Sequence, residues 1–142
     1  MPIKNSVTLN KLPDVFAIVT RGAKDLVDDA ADACADSMRD QIENETKSGI
    51  KYPGLPNQSS APYQAPANQF GALLGSISVQ PYSYSFGYGK EACAGDGSGV
   101  AGWMEFGTSK ITPRPFMTWA TKPAEDAMNL GTKAVGAELK SL

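Results

Sequence analysis

The sequence predicts an α+β fold, in which a long N-terminal helix packs on a small antiparallel sheet and a second helix closes the chain. Three patterns predict it: a helical apolar periodicity in the first third, alternation in the middle, and a looser helical periodicity at the end. The chain has 142 residues, 42% of them hydrophobic. That size suits a single domain over residues 1–142.

Residues 11–47 form the predicted long helix. Their apolar side chains recur at steps of three and four, which predicts one buried face: Phe16, Val19, Ala23, Leu26, Val27, Ala30, Cys34, Met38 and Ile42.

Acidic side chains recur along the other side of this helix and form an acidic stripe of Asp25, Asp29, Asp32, Asp36, Asp40 and Glu43. Residues 24–47 hold three basic and eight acidic residues, a local charge of −5, whereas the whole chain carries −2. Three interpretations are open: a solvated helix face, a carboxylate metal site, or a surface that repels a polyanion. The metal site is disfavoured because carboxylates along one straight helix diverge.

Residues 48–71 form a predicted extended loop that is rich in proline, glycine and serine. Loops of this length in small domains tend to bind a partner, to be ordered by one, or to be disordered. Its large apolar side chains are the candidates for that contact: Tyr52, Leu55, Tyr63 and Phe70.

Residues 73–106 predict an antiparallel meander of three strands. From Leu73 to Gln80 apolar and polar side chains alternate, and this first strand is expected to end before Pro81. In the second strand, from Tyr82 to Tyr88, every second residue is aromatic. The third is an apolar run from Val100 to Phe106. The last predicted element is a helix over 115–141.

Composition disfavours several kinds of function. The chain has no histidine, so imidazole-based catalysis and the common zinc and iron sites are excluded, and we expect no enzyme, metal or cofactor. Cys34 and Cys93 are too far apart for a Cys-x-x-Cys motif, although a disulfide between them stays open. The near-neutral charge predicts no general attraction to DNA or membranes. We expect a soluble protein made and used in a reducing cytoplasm.

The segment from Trp103 to Lys110, followed by Pro113 to Phe116, resembles a hallmark of tailed-bacteriophage neck or tail-completion proteins. That hallmark is a Glu-aromatic-Gly-Thr run and a later Pro-Phe that opens the last helix. Gly71 to Ile77 is also similar to the family's Thr-Gly-x-Leu-x-x-Ser-Ile element, with Phe70 in place of threonine and Gly75 where a basic residue is common. The matching order of the motifs extends the resemblance over residues 6–142.

The resemblance implies a virion structural protein of the neck, at the head-tail interface, that is assembled in the host cytoplasm. It would act as a ring, a hexamer or dodecamer, between connector or stopper proteins and the tail, while DNA passes without specific binding. A tail terminator ring, which ends tube polymerisation, is closely related in function and stays open. Two rival functions come from different classes: a small metal-dependent phage enzyme and a nucleic-acid-binding module.

The family motif comprises Glu105, Phe106, Gly107, Thr108, Pro113, Arg114, Pro115 and Phe116, and we assign them the following roles. Gly107 would adopt a conformation that other residues avoid, and Thr108 or Ser109 would satisfy backbone groups in the turn. The two prolines would stiffen the route into the last helix. Glu105 and Arg114 would form a salt bridge, within a subunit or across the ring. Phe106, Phe116 and Trp119 are expected core residues.

A ring needs two different complementary surfaces on each subunit. We expect the loop side chains Tyr52, Leu55, Tyr63 and Phe70 and an open sheet edge to supply them. The acidic stripe would face either the lumen, where it would repel DNA, or the outside of the ring.

Overall fold

The computed structural model describes residues 11–84, 87–95 and 97–142. In chain order its elements are α1 (Leu12–Glu43), α2 (Ala72–Gly75), β1 (Ser78–Tyr84), β2 (Gly87–Cys93), α3 (Val100–Phe106) and α4 (Thr121–Lys140). The predicted α+β class, with a long first helix, an antiparallel sheet and a closing helix, is confirmed.

The second half of α1 forms one wall of the core. Ala31, Ala35, Met38 and Ile42 are buried at steps of three and four, as an amphipathic helix requires. The core is completed from other elements by Ala65, Ile77, Ala101, Phe116 and Ala120. Phe116 is its largest side chain and is fully buried.

The first half of α1 packs against α4, and the two helices run antiparallel. Gly22 faces Val135 so closely that a Cβ on Gly22 would lie 2.3 Å from Cγ2 of the valine. One turn along, Gly131 packs against Leu26. Arg21 forms a salt bridge with Glu138 across the same pair. Small residues therefore let the two backbones approach.

The predicted buried face is wrong in this first half. Phe16 is 64% exposed, and Val19 and Ala23 are exposed as well. In this half α4 packs against Gly22, which the apolar pattern leaves out, and against Leu26, a member of the predicted face. In the same half of the helix, Ile18 is the buried residue.

Within the described residues, the sheet has two strands and not the three expected. β1 and β2 pair antiparallel in a register that runs from Ser78 opposite Cys93 to Tyr84 opposite Gly87. Pro81 does not end the first strand but lies inside it, opposite Lys90; proline is tolerated there because each strand of a two-stranded sheet has an open edge. The expected aromatic strand is therefore divided between β1 and β2, and Phe86 lies outside the described residues.

The outer bounds also differ. The expected third strand is the helix α3, and the start of the expected first strand is the short helix α2. α1 ends at Glu43 instead of residue 47. The backbone N–H of Asn44, the next residue, donates to the carbonyl of Asp40 at 2.8 Å and closes the last turn. α4 begins at Thr121 instead of residue 115. Cys34 and Cys93 are free thiols, so the disulfide that the sequence left open is not formed.

Candidate subunit interface

Glu105, on the last turn of α3, is only 5% exposed although it carries a charge. Its carboxylate accepts the backbone N–H groups of Phe116, Met117 and Thr118 at 2.8, 2.9 and 2.9 Å, and the Thr118 hydroxyl donates to it as well. Burial alone would raise the pKa of this carboxyl, but the hydrogen bonds from Thr118 and the three amides outweigh burial and lower the pKa. The ionised side chain thus ties α3 to the turn before α4.

The salt bridge expected between Glu105 and Arg114 does not form within the chain. The carboxylate oxygens are already occupied by the amides of residues 116–118. The backbone N–H of Arg114 donates to the carbonyl of Met104 at 2.6 Å, which fixes the residue beside α3. Its guanidinium makes no hydrogen bond or ion pair with any residue that the structure describes, and Nη1 is buried.

The chain leaves α3 through a turn that only glycine allows. Gly107 has φ +74°, and a Cβ there would lie 2.7 Å from the carbonyl oxygen of Ile111 and 2.8 Å from Cδ of Pro113. Thr108 Oγ1 accepts the amides of Lys110 and Ile111, each at 3.1 Å. Both residues have the roles expected of them, at the end of a helix rather than of a strand.

Amide side chains hold the loop of residues 48–71 in shape. Oε1 of Gln64 accepts the backbone N–H groups of Ser48 at 2.9 Å and Ala61 at 2.8 Å. Gln69 and Asn57 form a reciprocal pair, in which each donates to the other at 3.0 Å. Hydrogen bonds within the chain therefore order this loop, for which the sequence left open partner binding, ordering by a partner and disorder.

Three of the four candidate interface side chains lie together. Tyr52, Leu55 and Phe70 line an apolar groove of about 430 Å³ between the loop and α3, and Met104 and Arg114 lie on the α3 side. Tyr52 and Phe70 are exposed, and Leu55 is half-buried.

Tyr63, the fourth candidate, lies outside this groove. Its φ of +64° is unusual for a residue with a Cβ, and its backbone N–H donates to the carbonyl of Pro113 at 2.9 Å. Tyr63 thus ties the loop to the segment between the two prolines while its ring stays exposed.

Two of the three expected core aromatics are on the surface. Phe116 is buried, but Phe106 is 80% exposed and Trp119 is also exposed. Phe106 follows Glu105 on a helix whose inner side is already occupied by Ala101 and Glu105. Helical spacing therefore turns Phe106 outward, where a strand would have allowed burial.

All six side chains of the acidic stripe are exposed. Asp36 pairs with Arg39 at 2.9 Å, and Asp40 accepts the side-chain amide of Asn44. The stripe is therefore a charged outer surface of α1.

Asp28 directly precedes Asp29 in the sequence but does not belong to the acidic stripe, whose spacing leaves it out. Asp28 pairs with Lys90 of β2 at 2.9 Å and accepts the hydroxyl of Tyr88. The hydrogen bonds from Tyr88 and then Lys90 lower the pKa of Asp28. No sequence signal joins residues this far apart in the chain, so only the structure shows this link between α1 and the sheet.

α4 leaves several apolar side chains exposed. None of its 20 residues is buried in the described chain. Leu130 is 72% exposed, and Ala134 and Ala137 repeat its position at helical spacing and are exposed as well. α4 packs on α1 through Gly131 and Val135, and the exposed residues are apolar surface that is available for a partner.

The described residues include no group of three or more histidine, cysteine, aspartate or glutamate side chains placed to share a metal ion. None of the helices in the described ranges has the length and hydropathy that crossing a bilayer requires. Comparison of the chain with protein-family models, with curated proteins and with solved structures gave no match.

Proposed function

We propose that this protein is a structural subunit of a tailed-phage neck, a head-tail joining or tail-completion protein that assembles into a ring. One observation carries the assembly part of the proposal: the 20-residue helix α4 has no buried residue, and large apolar side chains are exposed on it and around the groove. Surfaces of this kind on a small domain are typical of subunit contacts.

The motif residues support the phage part of the proposal. The motif resembles that of neck proteins, and here each element of it has a mechanical role. Glu105 holds the amides that precede α4, Gly107 permits the turn, and Phe116 fills the core. By fixing the connection between α3 and α4, the motif would hold the two helices in place, and with them the outer surfaces against which neighbouring subunits pack.

The acidic stripe on α1 supports a place near moving DNA. Exposed carboxylates on a ring lumen would repel the phosphate backbone, so that DNA would pass without binding. In this proposal the stripe lines the channel.

Native mass spectrometry and negative-stain imaging of the purified full chain test the ring. A discrete hexamer or dodecamer is expected, and a monomer at high micromolar concentration would contradict the proposal. Adding purified rings to growing tail tubes separates the two positions in the virion, because a terminator stops growth and a head-tail joining ring does not.

The channel assignment has its own test in the assembled ring. Changing Asp25, Asp29 and Asp32 together to asparagine should raise the affinity for duplex DNA and make it strongly salt-dependent. The matched control changes Asp14, Glu91 and Glu125, which are exposed and lie in no ion pair among the described residues, to the corresponding amides, which removes the same charge elsewhere. Equal effects of the two triple variants would place the stripe outside the channel.

A further inference from the structure

Arg114 is in an unusual electrostatic position. It is half-buried at the edge of the apolar groove, its Nη1 is buried without a hydrogen-bond partner, and no described carboxylate pairs with it. A cation that is partly removed from water and left unpaired is costly, and such groups normally find an acceptor. The groove therefore fits an occupant that brings an acidic group together with an apolar side chain.

One exposed face of the same chain has that chemistry. Leu130 and Asp126 lie one turn apart on α4, so both project from the same side of the helix. Among the residues that the structure describes, Asp126 pairs with Lys122 alone, at 2.9 Å in an i, i+4 pair whose two side chains are more than 60% exposed. Exposed pairs of this type are weak and exchange readily for a better partner.

We infer that the apolar groove of one subunit receives α4 of a second copy of this chain, with Leu130 between Tyr52, Leu55 and Phe70, and Asp126 against Arg114. This contact deepens the proposed ring and rests on it. The volume of about 430 Å³ is sufficient for a leucine side chain and its neighbours but not for a whole helix, so α4 lies across the opening. Charge and apolarity are both complementary across this contact.

The contact joins two different surfaces, so each subunit can give its α4 to one neighbour and its groove to another. Head-to-tail contacts of this kind close into rings when the rotation between copies is suitable. The contact therefore buries two exposed apolar surfaces, the groove of one subunit and the α4 face of the next.

The test uses two variants of the full chain, each of which lacks one half of the contact. Arg114→Glu damages the groove, and Leu130→Asp damages the helix face; each alone should lower the affinity between subunits on the order of a hundredfold. Mixed together they should form a one-to-one heterodimer and nothing larger, because one intact groove and one intact α4 remain. Sedimentation velocity and native mass spectrometry measure the species.

Lys110→Glu and Phe106→Asp are the matched controls, since they make the same kinds of change on exposed residues outside the contact. Pairing Arg114→Glu with Asp126→Lys in one chain should restore the ring, which a misfolded Arg114 variant could not do.

The outcomes separate the two proposals. Rings that survive both Arg114→Glu and Leu130→Asp would overturn this contact and leave the ring intact. A wild-type monomer would overturn both. A small apolar carboxylate that co-purifies with wild type and is lost from the Arg114 variant, with assembly unchanged, would make the groove a ligand site and also overturn the contact.

Discussion

Glu105 accepts the backbone N–H of Phe116 at 2.8 Å, so a buried charge on α3 holds the residue that fills the centre of the core. The same carboxylate takes the next two amides, at the turn before α4. Free amides at the start of a helical segment favour an anion, which explains why an acidic side chain can be buried here without a basic partner.

Glu105→Gln should reduce the free energy of unfolding by about 2–4 kcal/mol, because an amide has one acceptor oxygen and its NH₂ group would face other donors. Urea unfolding followed by circular dichroism measures the change. Glu125→Gln, on the exposed side of α4, is the matched control and should stay within about 0.5 kcal/mol of wild type. Equal losses in the two variants would contradict the role of Glu105.

The pH dependence of stability should carry the signature of Glu105. Its pKa in the folded state lies below the ordinary value of 4.5, so the folded state stabilises the ionised form. This contribution is fully present above the unfolded pKa and is lost as the pH falls below 4.5 through the folded pKa. The difference in unfolding free energy between wild type and Glu105→Gln should therefore be constant from pH 7 to about 6 and narrow towards pH 3. A difference that widens on acidification would contradict this sign.

The sequence predicts the helices better than the strands, for a physical reason. A 32-residue helix repeats its apolar period many times, whereas the seven residues Val100–Phe106 form a short apolar run that suits either a strand or a helix. Glycines on each side of that run indicate turns without indicating what lies between them. The alternation pattern places the end of the first strand at Pro81. This proline lies within β1 instead, because among the described residues β1 pairs with β2 alone.

The sequence predicts the role of a site residue when that role depends on the residue itself. It does not predict the role when that depends on which groups the fold brings next to the residue. Gly107 adopts its positive φ as expected, since glycine in a turn is a local signal. Nearness of Glu105 and Arg114 in sequence suggests a salt bridge, but backbone amides compete for the carboxylate and sequence does not reveal them. The composition of the loop singles out its apolar residues as a group, while the convergence of three of them on Arg114 depends on the fold.

Gly22 is required by the close approach of α1 and α4. Gly22→Ala would place a Cβ 2.3 Å from Val135, and the resulting strain should cost about 1–3 kcal/mol despite the better helix propensity of alanine. Gly136→Ala, on α4 with no atom within 4 Å of its Cβ, should instead stabilise by up to about 1 kcal/mol.

Shortening Val135 tests whether its contact with residue 22 causes the loss of stability in Gly22→Ala. Thermal unfolding of Gly22→Ala, Val135→Ala and the double variant should give a favourable coupling, because alanine at residue 135 leaves room for the new methyl group. Additive effects in this cycle would show that the two helices do not approach here.

Amide hydrogen exchange should resolve the two sets of side-chain bonds in the loop. Gln64→Ala removes the acceptor of the Ser48 and Ala61 amides, which should then exchange on the order of tenfold faster. Gln69→Ala should speed exchange of Asn57 and leave those two amides unchanged, so each variant serves as the control for the other. If either variant speeds all three amides equally, the loop opens as one unit, and the separate roles assigned to Gln64 and Gln69 are wrong. Heteronuclear NMR of the full chain measures the individual rates.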